Sequence, residues 1–407
     1  MKTIRIFLLL TAVLSIIAGY LIHPEKGIDE RIYLKEIAPD IRFYEKKDNP
    51  PHYPSDEGIA AFNAYDITPN IRGYTGPIKV LLSINNEGKI TGIKILEHRE
   101  TKNYVHYMET PQYLSRFLGK NVNDPFKIDS DIDGISRATE SVTALAKTVR
   151  ESSRTVASQV YGIDVKTGVM DITTGIKWVW YLLLFFLSLI FYFAARKSKK
   201  FLRARDITLL TGIILIGLYL SSPFSILHVG NLILLRSSSA VLWYVVFITT
   251  MISIIIAGRF YCGWLCPFGA LCEFIGRLPF KKWNIPHDID EKWRKLKYVL
   301  LSAIIIIIFT SRRIDYGNYE TYVTLFSFSG NFLAWSLVAV SLIANLRIAR
   351  FWCRYLCPVA AFTGILSKKA GGYVSINDCP MGNKPAPLIS ECIRCNRCYT
   401  GKRVSDL

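Results

Sequence analysis

Nine cysteines dominate the chemistry legible in this sequence, and eight of them fall into spaced groups. Arg259-Phe260-Tyr261-Cys262-Gly263-Trp264-Leu265-Cys266-Pro267 is echoed about 90 residues later by Arg350-Phe351-Trp352-Cys353-Arg354-Tyr355-Leu356-Cys357-Pro358. Six of the nine positions are identical and two more exchange one aromatic for another. Each copy sets two thiols one helical turn apart, so Cys262, Cys266, Cys353 and Cys357 converge on one centre if the two related halves pack together. Soft thiolates in such a set suit a metal or iron–sulfur centre, or a redox-active dithiol pair, and the spacing leaves both readings open. Nearer the C-terminus, Cys392-x2-Cys395-x2-Cys398 has the spacing of three ligands of a bacterial [4Fe–4S] cluster. Lys402 stands where a fourth cysteine would follow, and Cys379 completes the set from across a loop of twelve residues. A four-cysteine zinc knuckle uses similar spacing. Cys272 has Thr363 at its corresponding place and is expected to be a packing residue.

The elements that must position these thiols are apolar. The chain of 407 residues is 51% apolar, and its mean hydropathy of +0.25 points to a membrane protein. Six stretches are expected to span the bilayer: 6–22, then about 176–195, 206–220, 240–258, 297–310 and 332–349. The first follows Lys2 and Arg5, lacks a small-x-small cleavage site, and reads as an uncleaved anchor rather than a signal peptide. Ser221-Ser222-Pro223 should end or kink the third, leaving 224–235 to lie at the interface or re-enter; His228 there reads as structural or interfacial rather than as a proton acceptor. The net charge of +18 is concentrated beside these stretches: Arg196, Lys197, Lys199, Lys200, Arg203 and Arg205, the 277–297 loop, and the tail after Arg350. The opposite loops hold only Arg236, Arg312 and Arg313. The positive-inside rule then puts the N-terminus, both cysteine motifs and the tail in the cytoplasm, with the halves related by an axis along the membrane normal. Charge placed this way argues against nucleic-acid binding.

Residues 23–175 contain no cysteine, as suits an exported segment in an oxidising compartment. Pro77 to Asn85 and Lys89 to His98 read as strands joined by a turn at Asn86-Glu87-Gly88. Thr139 to Tyr161 reads as a helix whose apolar face includes Val142, Leu145, Val149 and Val156. Before that helix runs Asp133-Gly134-Ile135-Ser136-Arg137-Ala138-Thr139. Ser136 and Thr139 are N-cap candidates, and free N–H groups and the helix dipole make such a start a favourable place for a phosphate.

This stretch resembles the Ser/Thr-Gly-Ala-Thr motif of FMN-binding domains such as those of the RnfG and NqrC subunits, with Arg137 in place of the usual glycine. The resemblance implies FMN joined to Thr139 through a phosphoester, with Ser136 and Ala138 in the motif and Asp133 recognised by a separate flavin transferase. Taken whole, the chain resembles the NosR and PceC (RdhC) family of membrane flavoproteins, and its cysteine-bearing block resembles NapH. The fold then implied is a mainly α membrane protein of about six transmembrane helices, with an exported α+β FMN-binding domain and a small C-terminal ferredoxin-like iron–sulfur segment. Its divisions are an anchor at 1–22, the FMN domain at 23–175, a five-helix block at 176–370 and a cytoplasmic segment at 371–407. A flavin domain beside membrane thiols also favours [4Fe–4S] over zinc at Cys379, Cys392, Cys395 and Cys398. The family implies electron transfer in the cell membrane, from (mena)quinol or a cytoplasmic donor through covalent FMN to an exported reductase or its carrier. A redox sensor and a maturation factor for an exported metalloenzyme are the rival readings. A hydrocarbon core of ~30 Å would separate a cytoplasmic cluster from an exterior flavin, so either the twin motifs hold a relay set deeper than these boundaries imply or quinol bound near the outer side feeds FMN directly. No Ser/His/Asp set, phosphate loop or Cys-x-x-Cys-His motif supports hydrolysis, ATP chemistry or haem attachment.

Overall fold

The computed structural model describes residues 2–22, 29–73, 76–98, 107–128, 130–134, 139–165, 176–234, 240–283, 285–312, 319–328, 330–367, 379–382 and 391–399. The chain divides into two units. One gathers 1–23 with 174–234 and 241–407; the other is formed by 24–173 with 235–240.

The second unit is a five-stranded antiparallel meander in the order β1-β2-β3-β4-β5: Lys47–Asp48, Pro51–Pro54, Ala60–Asn63, Ile78–Ile84 and Ile90–His98. The β4–β5 hairpin lies where the alternating apolar pattern predicts it. Asn85 closes its turn by accepting the N–H groups of Glu87 and Lys89 through its side chain, and Gly88 takes the positive φ of +74° that the turn requires. Because side chains alternate across a strand, one face of the sheet carries Ala60, Phe62, Val80, Leu82 and Ile84. That face is covered by the helix Thr139–Tyr161, whose Val142, Leu145, Val149 and Val156 are fully buried. Ala61 and Leu81 face the other way and pack with Leu34 of the helix Arg31–Ile37 and with Tyr53. The helix Thr139–Tyr161 is thereby fixed against the central strands.

The first unit is helical. Helices Lys2–Ile22 and Lys177–Lys197 are followed by two series with the same order of parts. The first runs Leu202–Gly212 continuing as a π-helix Ile213–Tyr219, then Ile226–Ile233, Val241–Ala257, Phe260–Trp264 and Pro267–Gly276. The second runs Leu296–Ser311, Thr321–Ser327, Phe332–Arg347, Phe351–Tyr355 and Pro358–Leu366, with His287–Arg294 leading into it. The repeat therefore extends well beyond the nine-residue motif. Each motif forms a single helical turn, after which Pro267 and Pro358 open the next helix at its first position, where a missing N–H costs nothing. The chain breaks after Tyr219, with Ser221 at φ +46°, as the Ser-Ser-Pro sequence predicts. The stretch after it is a buried helix in which His228 completes a capping box with Ser225 and stacks between Phe224 and Trp243, a structural role.

Helices occupy all six stretches expected to span the bilayer. Among the described residues, Lys177–Lys197 is long and apolar enough to cross one by itself; a second is added if Thr321–Ser327 and Phe332–Arg347 form one broken span. The others fall short because they are 16 or 17 residues long or are interrupted. At 1.5 Å per residue, 16 residues reach about 24 Å.

Candidate functional site

The two copies of the cysteine motif meet through reciprocal contacts. Cys353 follows Cys262 by 91 positions, and the same offset pairs Cys272 with Thr363 and Gly263 with Arg354. Cys272, from the first half, lies close enough to the Cys353 thiol of the second for the two to act on each other. Thr363, from the second, places its hydroxyl 3.7 Å from the Cys262 thiol of the first. Arg350 of the second motif donates to the Cys262 carbonyl of the first at 2.8 Å. Cys266 lies within electrostatic reach of Cys353 and Cys262, and Cys357 within reach of all three other motif thiols. The four thiols thus converge on one place. Cys272, expected to be mere packing, is buried but belongs to the edge of this cluster.

Burial pushes the Cys266 and Cys357 thiols up, and local structure opposes it with backbone N–H groups. Cys266 and Cys357 are the N-caps of the proline-started helices, and their sulfurs accept the N–H groups of Gly269 and Ala360 at 3.4 Å. A helix N-terminus favours thiolate over thiol. Around them lie two matched ion-pair systems. Glu273 receives both ends of the Arg205 guanidinium at 2.6 Å and Arg350 at 2.7 Å, while Arg205 Nε donates to the Gly263 carbonyl. Glu391 receives Lys297, Arg259 and the Tyr298 hydroxyl, while Lys297 donates to the Arg354 carbonyl. Gly263 and Arg354 are equivalent positions, so the second system repeats the first with Lys297 in the place of Arg205. Burial would push the Glu391 carboxyl up, but Lys297 and Arg259 outweigh it and hold it at about 2.

The C-terminal set forms a second thiol group laid against the first motif. Cys392, Cys395 and Cys398 are buried, Cys379 is half-buried, and the charges of the first three act on the fourth. Arg394 and Asn396 take φ of +57° and +63°. Alternation of such left-handed residues turns successive N–H groups to one side, the concavity found at many iron–sulfur sites. Burial pushes the Cys379 thiol up to about 12, so filling this site must expel protons. The tail is tied down by the Trp264 indole donating to the Arg394 carbonyl, by Asn396 donating to Tyr192, and by Arg196 on Tyr399. Among the described residues no three His, Cys, Asp or Glu side chains are drawn together tightly enough to hold one metal ion.

At the flavin motif, Thr139 is the first residue of its helix. Ser136 and Ala138 lie outside the described residues, as does the side chain of Thr139. Asp133 is described: its carbonyl accepts from the Tyr113 hydroxyl at 3.1 Å and its carboxylate pairs with Arg116. Thr139 opens the helix Thr139–Tyr161, and a helix N-terminus favours a phosphate, so this end of the domain fits FMN. The carboxylates and cations that frame the motif thiols were not among the residues singled out in the sequence. Their signal was weak: charges at the margins of apolar stretches, of which Arg205 counts in the sequence as a solvent-facing topological charge yet is 2% exposed.

Residues 73–153 match the FMN-binding domain family, and residues 239–286 with 331–376 match the 4Fe-4S binding domain family. The second match falls on the twin motifs rather than on the C-terminal set. The chain is similar to "Putative electron transport protein YccM" of Escherichia coli, 36% identical over 32% of this chain and 39% of that one. It is also similar to "Protein NirI" of Paracoccus denitrificans, 38% identical over 26% of this chain and 17% of that protein. "Regulatory protein NosR" of Stutzerimonas stutzeri is 29% identical over 31% of this chain and 18% of its own length. The chain spans well under half the length of each of these three. With an FMN-binding domain and a 4Fe-4S binding domain split across two motif-bearing halves, it is similar to the NosR-like FMN-binding iron–sulfur proteins.

Proposed function

We propose that this protein conducts electrons across the cell membrane, from a quinol or a cytoplasmic donor to an exported reductase or its carrier. The observation that carries the reading is the convergence of Cys262, Cys266, Cys353 and Cys357 through the reciprocal Cys272–Cys353 and Thr363–Cys262 contacts. Two matched halves that build one thiol site between them form a cofactor cradle rather than a pair of packing residues. In this reading the four motif thiols hold one iron–sulfur cluster, and Cys379, Cys392, Cys395 and Cys398 hold a second. Thr139 carries FMN through a phosphoester made by a separate transferase. The bound groups supply the redox chemistry; the protein supplies thiolates held by N–H groups, a water-poor surround and charge compensation from Arg259 and Arg350.

A multi-pass membrane setting, with the flavin domain outside and the tail in the cytoplasm, accounts for apolar side chains left exposed on the helices. Leu183, Phe186 and Ile190, then Ile248, Ile252 and Ile255, and Val340 with Ile343 are all more than 44% exposed, a pattern that lipid explains and water does not. An apolar cavity of about 360 Å³ lined by Leu8, Ile226, Ile304, Ile308 and Phe362 suits the prenyl tail of a quinol. The test is anaerobic reduction of the flavin in the purified protein by a menaquinol analogue. Flavin that stays oxidised with every quinol and with a low-potential cytoplasmic donor defeats the proposal; such a result, with loss of target-gene transcription in a deletion strain, points instead to a redox regulator.

A further inference from the structure

The two motif arginines occupy equivalent positions in the two halves, and both are fully buried. Arg259 donates through one terminal nitrogen to the Glu391 carbonyl and carboxylate, at 2.9 and 3.1 Å. Its Nε and its other terminal nitrogen have no partner among the described residues. Arg350 uses its terminal nitrogens on the Cys262 carbonyl and Glu273, and its Nε likewise has no partner among the described residues. An orphaned buried donor costs on the order of 1–3 kcal/mol, more for a charged group. Matched orphans on both halves mark an acceptor that the described residues do not supply. The Arg259 guanidinium lies within electrostatic reach of Cys262 and Cys353, and that of Arg350 within reach of Cys353 and Cys266. Arg205 is the contrast. It is just as buried and shares Glu273, yet it spends all three of its nitrogens on Gly263 and Glu273.

We propose that Arg259 and Arg350 are a pair of N–H···S donors to the cluster held by Cys262, Cys266, Cys353 and Cys357, and that they set its reduction potential. The inference rests on the cluster reading given above. A cluster ligated by four thiolates is an anion, and one-electron reduction adds a further negative charge to it. Hydrogen bonds to its sulfurs and nearby positive charge stabilise the reduced form more than the oxidised one, which raises the potential. The electron comes from the same quinol or cytoplasmic donor as in the proposed function and leaves to the same acceptor. The arginines transfer nothing; they are positioning residues for charge.

The experiment is an EPR-monitored redox titration of the full-length protein, with iron and acid-labile sulfide measured on each sample. Arg259→Lys and Arg350→Lys keep the charge for Glu391 and Glu273 but remove Nε. Each is expected to retain the wild-type iron content and to shift the oxidised-to-reduced ratio of one cluster about tenfold towards oxidised at fixed ambient potential, about 59 mV for a one-electron couple. Arg205→Lys should leave that midpoint unmoved. Full iron with an unmoved midpoint in both motif variants overturns the assignment, as does an equal shift in Arg205→Lys. Equal iron and sulfide in wild type and in the quadruple Cys→Ala variant of the motif thiols would instead defeat the cluster reading, and the arginine assignment with it.

Discussion

The backbone carbonyl of Ile393 occupies the space that a side chain on Gly263 would need. Gly263 is the one motif position where the two copies differ in more than the choice of aromatic, and the carbonyl explains why. The C-terminal loop that carries Cys392 and Cys395 lies directly on the first motif, while the second motif can carry Arg354 at the equivalent place. A methyl group at 263 must push the loop away. Gly263→Ala is expected to destabilise the helical unit by ~1–3 kcal/mol and to lower iron content, with faster proteolysis after Glu391. Unchanged iron and an unchanged cleavage pattern would show that the loop is not held there.

Glu391 is the only carboxylate among the described residues that meets both Lys297 and Arg259. Because its folded pKa, about 2, lies below the ordinary 4.5, it contributes stability at pH values above about 4.5, and that contribution is lost as pH falls towards 2. Glu391→Gln leaves buried Arg259 and Lys297 without this carboxylate and should cost ~3–5 kcal/mol. The measurement is thermal unfolding from pH 7 downwards: the variant should start lower and show less acid-dependent loss than wild type over that window.

The cysteines should sort into two sets. Replacing any of Cys262, Cys266, Cys353 or Cys357 by alanine is expected to remove one cluster's iron and sulfide, and replacing any of Cys379, Cys392, Cys395 or Cys398 to remove another's. Cys272→Ser keeps a hydrogen-bonding group beside Cys353 and should retain the iron of both. Iron content after anaerobic purification decides this, and loss of all iron from Cys272→Ser would make Cys272 a ligand.

Thr139→Ala should abolish flavin fluorescence in the denatured protein on a gel, whereas Ser136→Ala should keep it. A fluorescent band in Thr139→Ala would place the covalent link elsewhere.

The flavin unit depends on its long helix. Leu145 is fully buried against the sheet, and Leu145→Ala should cost ~2–5 kcal/mol. The readout is the denaturation midpoint, with the iron content of the helical unit unaffected.

Periodicity was enough to find the hairpin and the helix Thr139–Tyr161, because Val142, Leu145, Val149 and Val156 recur at helical spacing and the turn needs Gly88. Spacing also found both thiol groups. The charged frame was not legible. Arg205 meets Glu273 across 68 residues and Arg259 meets Glu391 across 132, and a sequence does not display pairing at such range. Arg205 and Lys297 therefore read as topological charge and span margin. The partnership of Cys272 with Cys353 was hidden for the same reason: the offset rule makes Cys272 the equivalent of Thr363, while the residue it approaches is Cys353.

That exchange between halves has a consequence for biogenesis. Neither half, on leaving the ribosome, possesses a finished cradle: the first waits for Arg350 and Thr363, the second borrows Cys272, and Arg259 stays uncompensated until Glu391 emerges. A cofactor held by these thiols would therefore be loaded only after Glu391 has been made, and a product terminated before that residue keeps a stranded cation.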